Sequence, residues 1–229
     1  VKPALVQILS VVSLVAFFTP LVIVLFKKLG RDAFFMLFAL YWAMSGIIAL
    51  TDFLPVSSAV RRTIGAVYNM MDIPIVLYVL YFTSNFLPIK KFTAAVLVSY
   101  VILELISVFI KGVNYEALKY TLGTGLGLVL TVVAWEIVRY LQKMEHNNRQ
   151  NAKVLIYTAL LFEYASFIVV YIFDYFTDDS FRNTVEKDIY LIYYISTLIG
   201  ISIASWGYLV FQKYTREEPL KNEVGINII

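Results

Sequence analysis

Cysteine is absent from the 229 residues, and histidine occurs once, as His146. Without cysteine there are no disulfides, no thiolate metal sites and no thiol nucleophile, and the redox compartment leaves no mark. Haem, zinc and di-iron membrane enzymes need several histidines at membrane depth. One histidine in the polar run LQKMEHNNRQNAK (141–153) serves none of them. Charge is scarce as well: 15% of residues are charged and the net charge is +3, spread through loops. No basic tract with interleaved aromatics exists, so nucleic acid is not an expected partner.

What fills the chain instead is apolar. Sixty per cent of residues are hydrophobic and the mean hydropathy is +0.77, where a soluble domain keeps roughly a quarter of its residues charged. A spanning helix needs about 20 mainly apolar residues. Seven such stretches stand out: 4–26, 33–54, 63–86, 92–110, 116–140, 153–176 and 188–212. The expected fold is an all-α polytopic bundle of seven transmembrane helices over 1–212, with a short cytoplasmic tail over 213–229. The first stretch runs straight into KKLGR with no small-residue cleavage site, and reads as a retained helix. The expected setting is integral, multi-pass, in the plasma (inner) membrane.

Lysine and arginine in the loops set the expected direction. One side collects Lys27, Lys28, Arg31, Lys90, Lys91, Arg139, Lys143, Arg149, Lys153, Lys213, Arg216 and Lys221. The other holds Lys2, Arg61, Arg62, Lys111, Lys119, Arg182 and Lys187. The richer side is expected to be cytoplasmic, with the N-terminus outside and the C-terminus inside. Span 2 (ALYWAMSGIIALTDF) and span 6 (ALLFEYASFIVVYIFDYF) each end in an acidic–aromatic pair followed by an arginine, Arg61 or Arg182. That pattern is compatible with a 3+1+3 parallel repeat, spans 1–3 and 5–7 about a lone span 4.

Charged side chains near the bilayer centre are costly and face the bundle interior. At 1.5 Å per residue, Asp72, Glu104 and Glu163 each lie about ten to twelve residues into their spans, near the midplane. Each sits on a polar stripe at helical spacing: Tyr68, Asn69 and Asp72; Tyr100, Glu104, Ser107 and Lys111; Glu163, Ser166 and Asp174. Pro74 frees a backbone carbonyl one turn earlier. No lysine or arginine lies at that depth. Three buried acids without a base cannot all stay ionised. Either some carry protons, or a cation supplies the positive charge. The candidate ligand or ion site is therefore Asp72, Asn69, Tyr68, Glu104, Glu163 and Ser166. Asp52, Asp174, Arg61 and Arg182 form an outer rim of both signs. Tyr190, Tyr193, Tyr194 and Thr197 are candidates for the outer part of a cavity. Glu136 and Arg139 read as an ion pair near the inner end of span 5. Gly123, Gly125, Gly127 and the series Ser196, Gly200, Ala204, Gly207 read as close-packing faces.

The seven-span layout resembles that of microbial rhodopsins and seven-span receptors in topology alone. A retinal protein needs a lysine in the middle of its last span, and YLIYYISTLIGISIASWGYLVF has none, which excludes a Schiff base. Sugar transporters of the three-plus-one-plus-three type are similar in layout. Their paired helix-breaking prolines have counterparts here in the first half only, Pro20 and Pro74. The function expected is binding of a small molecule, cation or proton in an acidic midplane cavity, as a transporter or sensor. A sensor would signal through the 141–153 loop to a cytoplasmic partner. No metal or cofactor and no catalytic residue is expected. The alternatives are an intramembrane lipid-modifying enzyme using paired carboxylates, and a structural subunit of a membrane complex.

Overall fold

The computed structural model describes residues 3–113, 115–142, 147–176 and 179–211; the side chains at 3, 58, 62, 115, 116, 174 and 179–188 are not among those described. The expected tail at 213–229 and His146 lie outside the described residues. Seven long helices account for nearly all of the rest: α1 (Pro3–Phe26), α2 (Ala33–Ala49), α3 (Ser58–Thr83), α4 (Leu87–Lys111), α5 (Tyr115–Leu141), α6 (Asn148–Phe176) and α7 (Asp179–Val210). Each contains a stretch long and apolar enough to cross a membrane.

Helices α3, α4, α6 and α7 begin before their apolar stretches because backbone hydrogen bonding stops at caps, not at the edge of hydrophobicity, while α2 ends at Ala49, short of the expected 54, where a 3-10 turn takes over. Ser57 caps α3 by accepting from Val60 N, and Pro88 stands in the first turn of α4, where proline is tolerated. The 141–153 connection is shorter than expected: the Asn147 side chain accepts from Gln150 N at 2.9 Å, and α6 begins at Asn148. Asp32 caps α2 through Phe34 N and also pairs with Arg149 at 2.7 Å, tying the start of α2 to the start of α6. Lys27 closes the far end of α7. Its Nζ donates to the carbonyls of Tyr208, Leu209 and Phe211 at 3.2, 2.7 and 2.8 Å, groups that a helix C-terminus leaves unpaired.

These contacts define two faces without reference to any membrane. The upper face carries the start of α1 and the 50–57 connection. The lower face carries the 27–32 and 84–86 connections. Six helices form a ring in which α1 packs on α2 and α7, α3 on α2 and α5, and α6 on α5 and α7. The remaining helix, α4, packs on both α3 and α5, which also touch each other. It lies against the outside of that pair. Gly125 of α5 sits where an added Cβ would meet Tyr100 of α4 at 2.7 Å and Ile73 of α3 at 2.8 Å, so the three backbones converge there.

Between α6 and α7 it is backbone that glycine meets. A Cβ at Gly207 would stand 3.0 Å from the Ala152 carbonyl, and one at Gly200 3.5 Å from that of Ala159. The small-residue series on α7 thus packs where it holds Gly200, Ala204 and Gly207. Gly127, by contrast, faces open space. Outward surfaces are strongly apolar, with Phe109, Phe26, Ile110 and Val15 among the most exposed residues. Such an exterior suits lipid and not water. The chain is an all-helical protein with the marks of a multi-pass membrane protein.

Candidate functional site

Three helices supply the polar centre. On α3, Asp72 lies one turn below Tyr68, and the residue is 6% exposed. The Tyr68 hydroxyl lies 3.2 Å from Asp72 Oδ1, the Tyr41 hydroxyl of α2 lies 3.0 Å from the same oxygen, and the Tyr164 hydroxyl of α6 lies 2.8 Å from Oδ2. The Tyr41 and Tyr164 hydroxyls are themselves 2.8 Å apart. Ser45, one turn above Tyr41, contacts the Tyr68 hydroxyl at 2.8 Å. Glu163 neighbours Tyr164 on α6 but points away from it, since successive helical residues lie about 100° apart. Its Oε2 accepts the Trp42 indole N–H at 2.9 Å, which is its one hydrogen bond among the described residues.

Above these acids the bundle is hollow. A cavity of about 790 Å³ runs from the 50–61 segment of the upper face down to Asp72 and Glu163. Every helix of the ring contributes to its wall and α4 does not. Tyrosine dominates the wall, with Tyr41, Tyr68, Tyr164, Tyr171, Tyr193 and Tyr194 among the lining residues. Its two basic side chains, Arg61 and Lys119, belong to the upper part. Arg61 Nε lies 3.7 Å from Asp52 and its guanidinium donates to the Leu54 carbonyl. Lys119 projects over the ring of Phe176, the last residue of α6. Among the described residues the floor therefore holds two acids and no lysine, arginine or histidine.

Of the residues singled out in the sequence, Asp72, Asn69, Tyr68, Glu163 and Ser166 line this one cavity, as do Asp52 and Arg61 at its mouth. Tyr190, Tyr193, Tyr194 and Thr197 line it too. The side chains of Asp174 and Arg182 lie outside those described. Glu104 is not brought in. It is buried beside Tyr100, which also neighbours Asp72 of α3 and Thr121 of α5. Tyr100 shares the level of Ile73 through Gly125, so Glu104 sits one turn nearer the upper face than Asp72. Counting from the start of the apolar stretch at 92 places it deeper, because α4 itself starts earlier, at Leu87. Glu136 is buried, and the Arg139 guanidinium lies 3.7 Å over the Phe86 ring.

Four contributors were not legible beforehand: Tyr41, Trp42, Ser45 and Tyr164. Tyr41 and Ser45 stand one turn apart, and Tyr164 adjoins Glu163. Yet 17 tyrosines in one chain leave that spacing without discriminating power.

Chemically, Asp72 is surrounded by three tyrosine hydroxyls, while Glu163 presents its carboxyl group to the hollow with one donor behind it. Tyrosine faces around an acid suit a cation, which they attract through the ring quadrupole. Fold and site together define a bundle of seven candidate membrane-spanning helices with a polar, acid-floored cavity that extends toward the upper face. No protein family, curated protein or solved structure matches the chain.

Proposed function

We propose that this protein binds a small, positively charged organic ligand from one side of the membrane, as a transporter or sensor. The observation that carries the reading is a cavity floored by Asp72 and Glu163 with no basic side chain at that depth among the described residues. Glu163 is the anchor for the ligand's charge. Tyr193, which faces both acids, and Tyr68 supply aromatic walls. Asn69, Ser166 and Thr197 supply neutral hydrogen-bonding groups, as small-molecule sites do.

The orientation expected from lysine and arginine counts belongs to the same proposal, with the cavity mouth facing outward. So does the parallel repeat. Its support is the closed ring of α1–α3 and α5–α7, with α4 left outside.

The test is thermal stabilisation of the purified protein by a graded set of alkylammonium ions, compared with uncharged alcohols of similar shape. Stabilisation by the ammonium ions alone, weakened about tenfold or more in apparent affinity (about 1.4 kcal/mol) by Glu163→Gln, is the expected result. Equal stabilisation by ions and alcohols contradicts the reading. Uptake of a stabilising ion into vesicles then assigns transport, and stabilisation without flux assigns sensing.

A further inference from the structure

The hydrogen bonds around Asp72 count a proton. Three oxygens or oxygen pairs form a closed ring: Asp72 Oδ1 to the Tyr41 hydroxyl at 3.0 Å, Tyr41 to the Tyr164 hydroxyl at 2.8 Å, and Tyr164 to Asp72 Oδ2 at 2.8 Å. Each tyrosine has one hydroxyl proton, and an ionised carboxylate has none. Two protons cannot fill three contacts. With both tyrosines donating to the carboxylate, their own oxygens would face each other without a proton at a typical O–H···O separation. The neighbouring groups offer no relief. The Tyr68 hydroxyl is engaged with Asp72 at 3.2 Å, and Ser45 meets Tyr68 at 2.8 Å and the Tyr41 carbonyl at 3.3 Å. Taken together, those groups add at least as many contacts as protons.

A neutral acid closes the count. One carboxyl oxygen donates to a tyrosine, that tyrosine donates to the second, and the second donates back to the other carboxyl oxygen. The ring can run in either sense, with the same atoms and the same number of protons. Burial favours this form, because an ionised carboxylate in a low-dielectric site needs a positive partner. The polar and titratable groups facing Asp72 are Tyr41 from α2, Tyr68 from its own helix, Tyr100 from α4, Glu163 and Tyr164 from α6, and Tyr193 from α7. The α5 wall offers Leu122 and, nearer the upper face, Lys119. None of those at Asp72's depth is a cation.

We infer that Asp72, Tyr41 and Tyr164 form a proton-binding site, with Asp72 as the neutral acid and the proton shared round the ring. All three residues line the cavity, so the proton exchanges through it. Two acids on one floor thereby take different parts. Asp72 holds a proton within the ring, and Glu163, held by the Trp42 indole alone, stands outside it as the proposed anchor for a ligand. The inference stands whatever the cavity binds.

Infrared spectroscopy of the purified protein tests it, through the carboxylic acid C=O stretch that ionised carboxylates lack. The expected spectrum at neutral pH has an acid band that moves in D2O. One component disappears in Asp72→Asn and shifts in frequency in both Tyr41→Phe and Tyr164→Phe. An undiminished acid band in Asp72→Asn overturns the inference, as does a band that neither phenylalanine variant moves. If Asp72→Asn does not fold, the two phenylalanine variants decide alone. Failure here leaves ammonium binding at Glu163 untouched, since that experiment reads a different residue and a different signal.

Discussion

The lower and upper halves of α2, α6 and α7 are built from the same helices and pack in opposite ways. Below, Phe34, Phe35, Phe38, Trp42, Tyr157 and Tyr208 interlock with almost no exposure. Phe34 and Phe38 both meet the edge of Tyr157, at 5.5 and 5.8 Å, and the Tyr208 hydroxyl donates to the Phe35 carbonyl at 3.2 Å. Above, the same three helices line a cavity of about 790 Å³. The change falls within one residue of α2: Trp42 belongs to the lower plug, and its indole N–H holds Glu163 on the cavity floor. A bundle able to pack its lower half this densely has no general packing defect. The hollow is a local consequence of residue choice: Ser45, Glu163, Ser166, Ser196 and Thr197 line it above, where bulky aromatic rings fill the same helices below.

The largest expected effect comes from removing the residue at the boundary. Trp42→Ala takes a large buried ring from the plug and the donor from Glu163, and should cost about 3–5 kcal/mol, seen as a marked drop in the thermal unfolding midpoint. An unchanged midpoint would mean that the lower half is no plug. Next, Gly207→Leu forces a side chain against the α6 backbone and should cost about 1–3 kcal/mol by the same assay. Smallest is the mirror substitution in the hollow. Ser196 lines the cavity, so Ser196→Leu should alter stability by no more than about 0.5 kcal/mol while abolishing ammonium stabilisation. If Ser196→Leu proves as costly as Gly207→Leu, the two halves are packed alike and the comparison fails.

Most of the fold was readable from hydrophobic run length, because a spanning helix leaves an unbroken apolar record. Its limits were not, as Leu87–Lys91 and Asn148–Lys153 show: caps such as Asn147 extend helices through polar sequence. Of the candidate site, Asp72 and Glu163 announced themselves by being charged where charge is rare. Glu104 did so equally, yet it belongs to the helix outside the ring. Whether a carboxylate at a given depth faces the shared cavity depends on which helices adjoin. One sequence does not record that. Tyr41, Trp42 and Tyr164 hid for the opposite reason. They are residue types the chain uses freely, and only their convergence on Asp72 and Glu163 sets them apart.

The natural absence of cysteine allows the central claim to be tested with single introduced thiols. Ser166→Cys places one in the cavity wall, and Ala204→Cys places one in the packed lower half, where Ala204 has no exposed surface. Each variant is treated with small cationic and anionic thiol reagents of equal reactivity. An acid-floored cavity should focus the cation, so Ser166→Cys should react faster with the cationic reagent by about tenfold or more. Ala204→Cys should react with neither. Equal rates for the two charges at Ser166→Cys, or labelling of Ala204→Cys as fast as Ser166→Cys, would contradict a one-sided cavity built for a positive ligand.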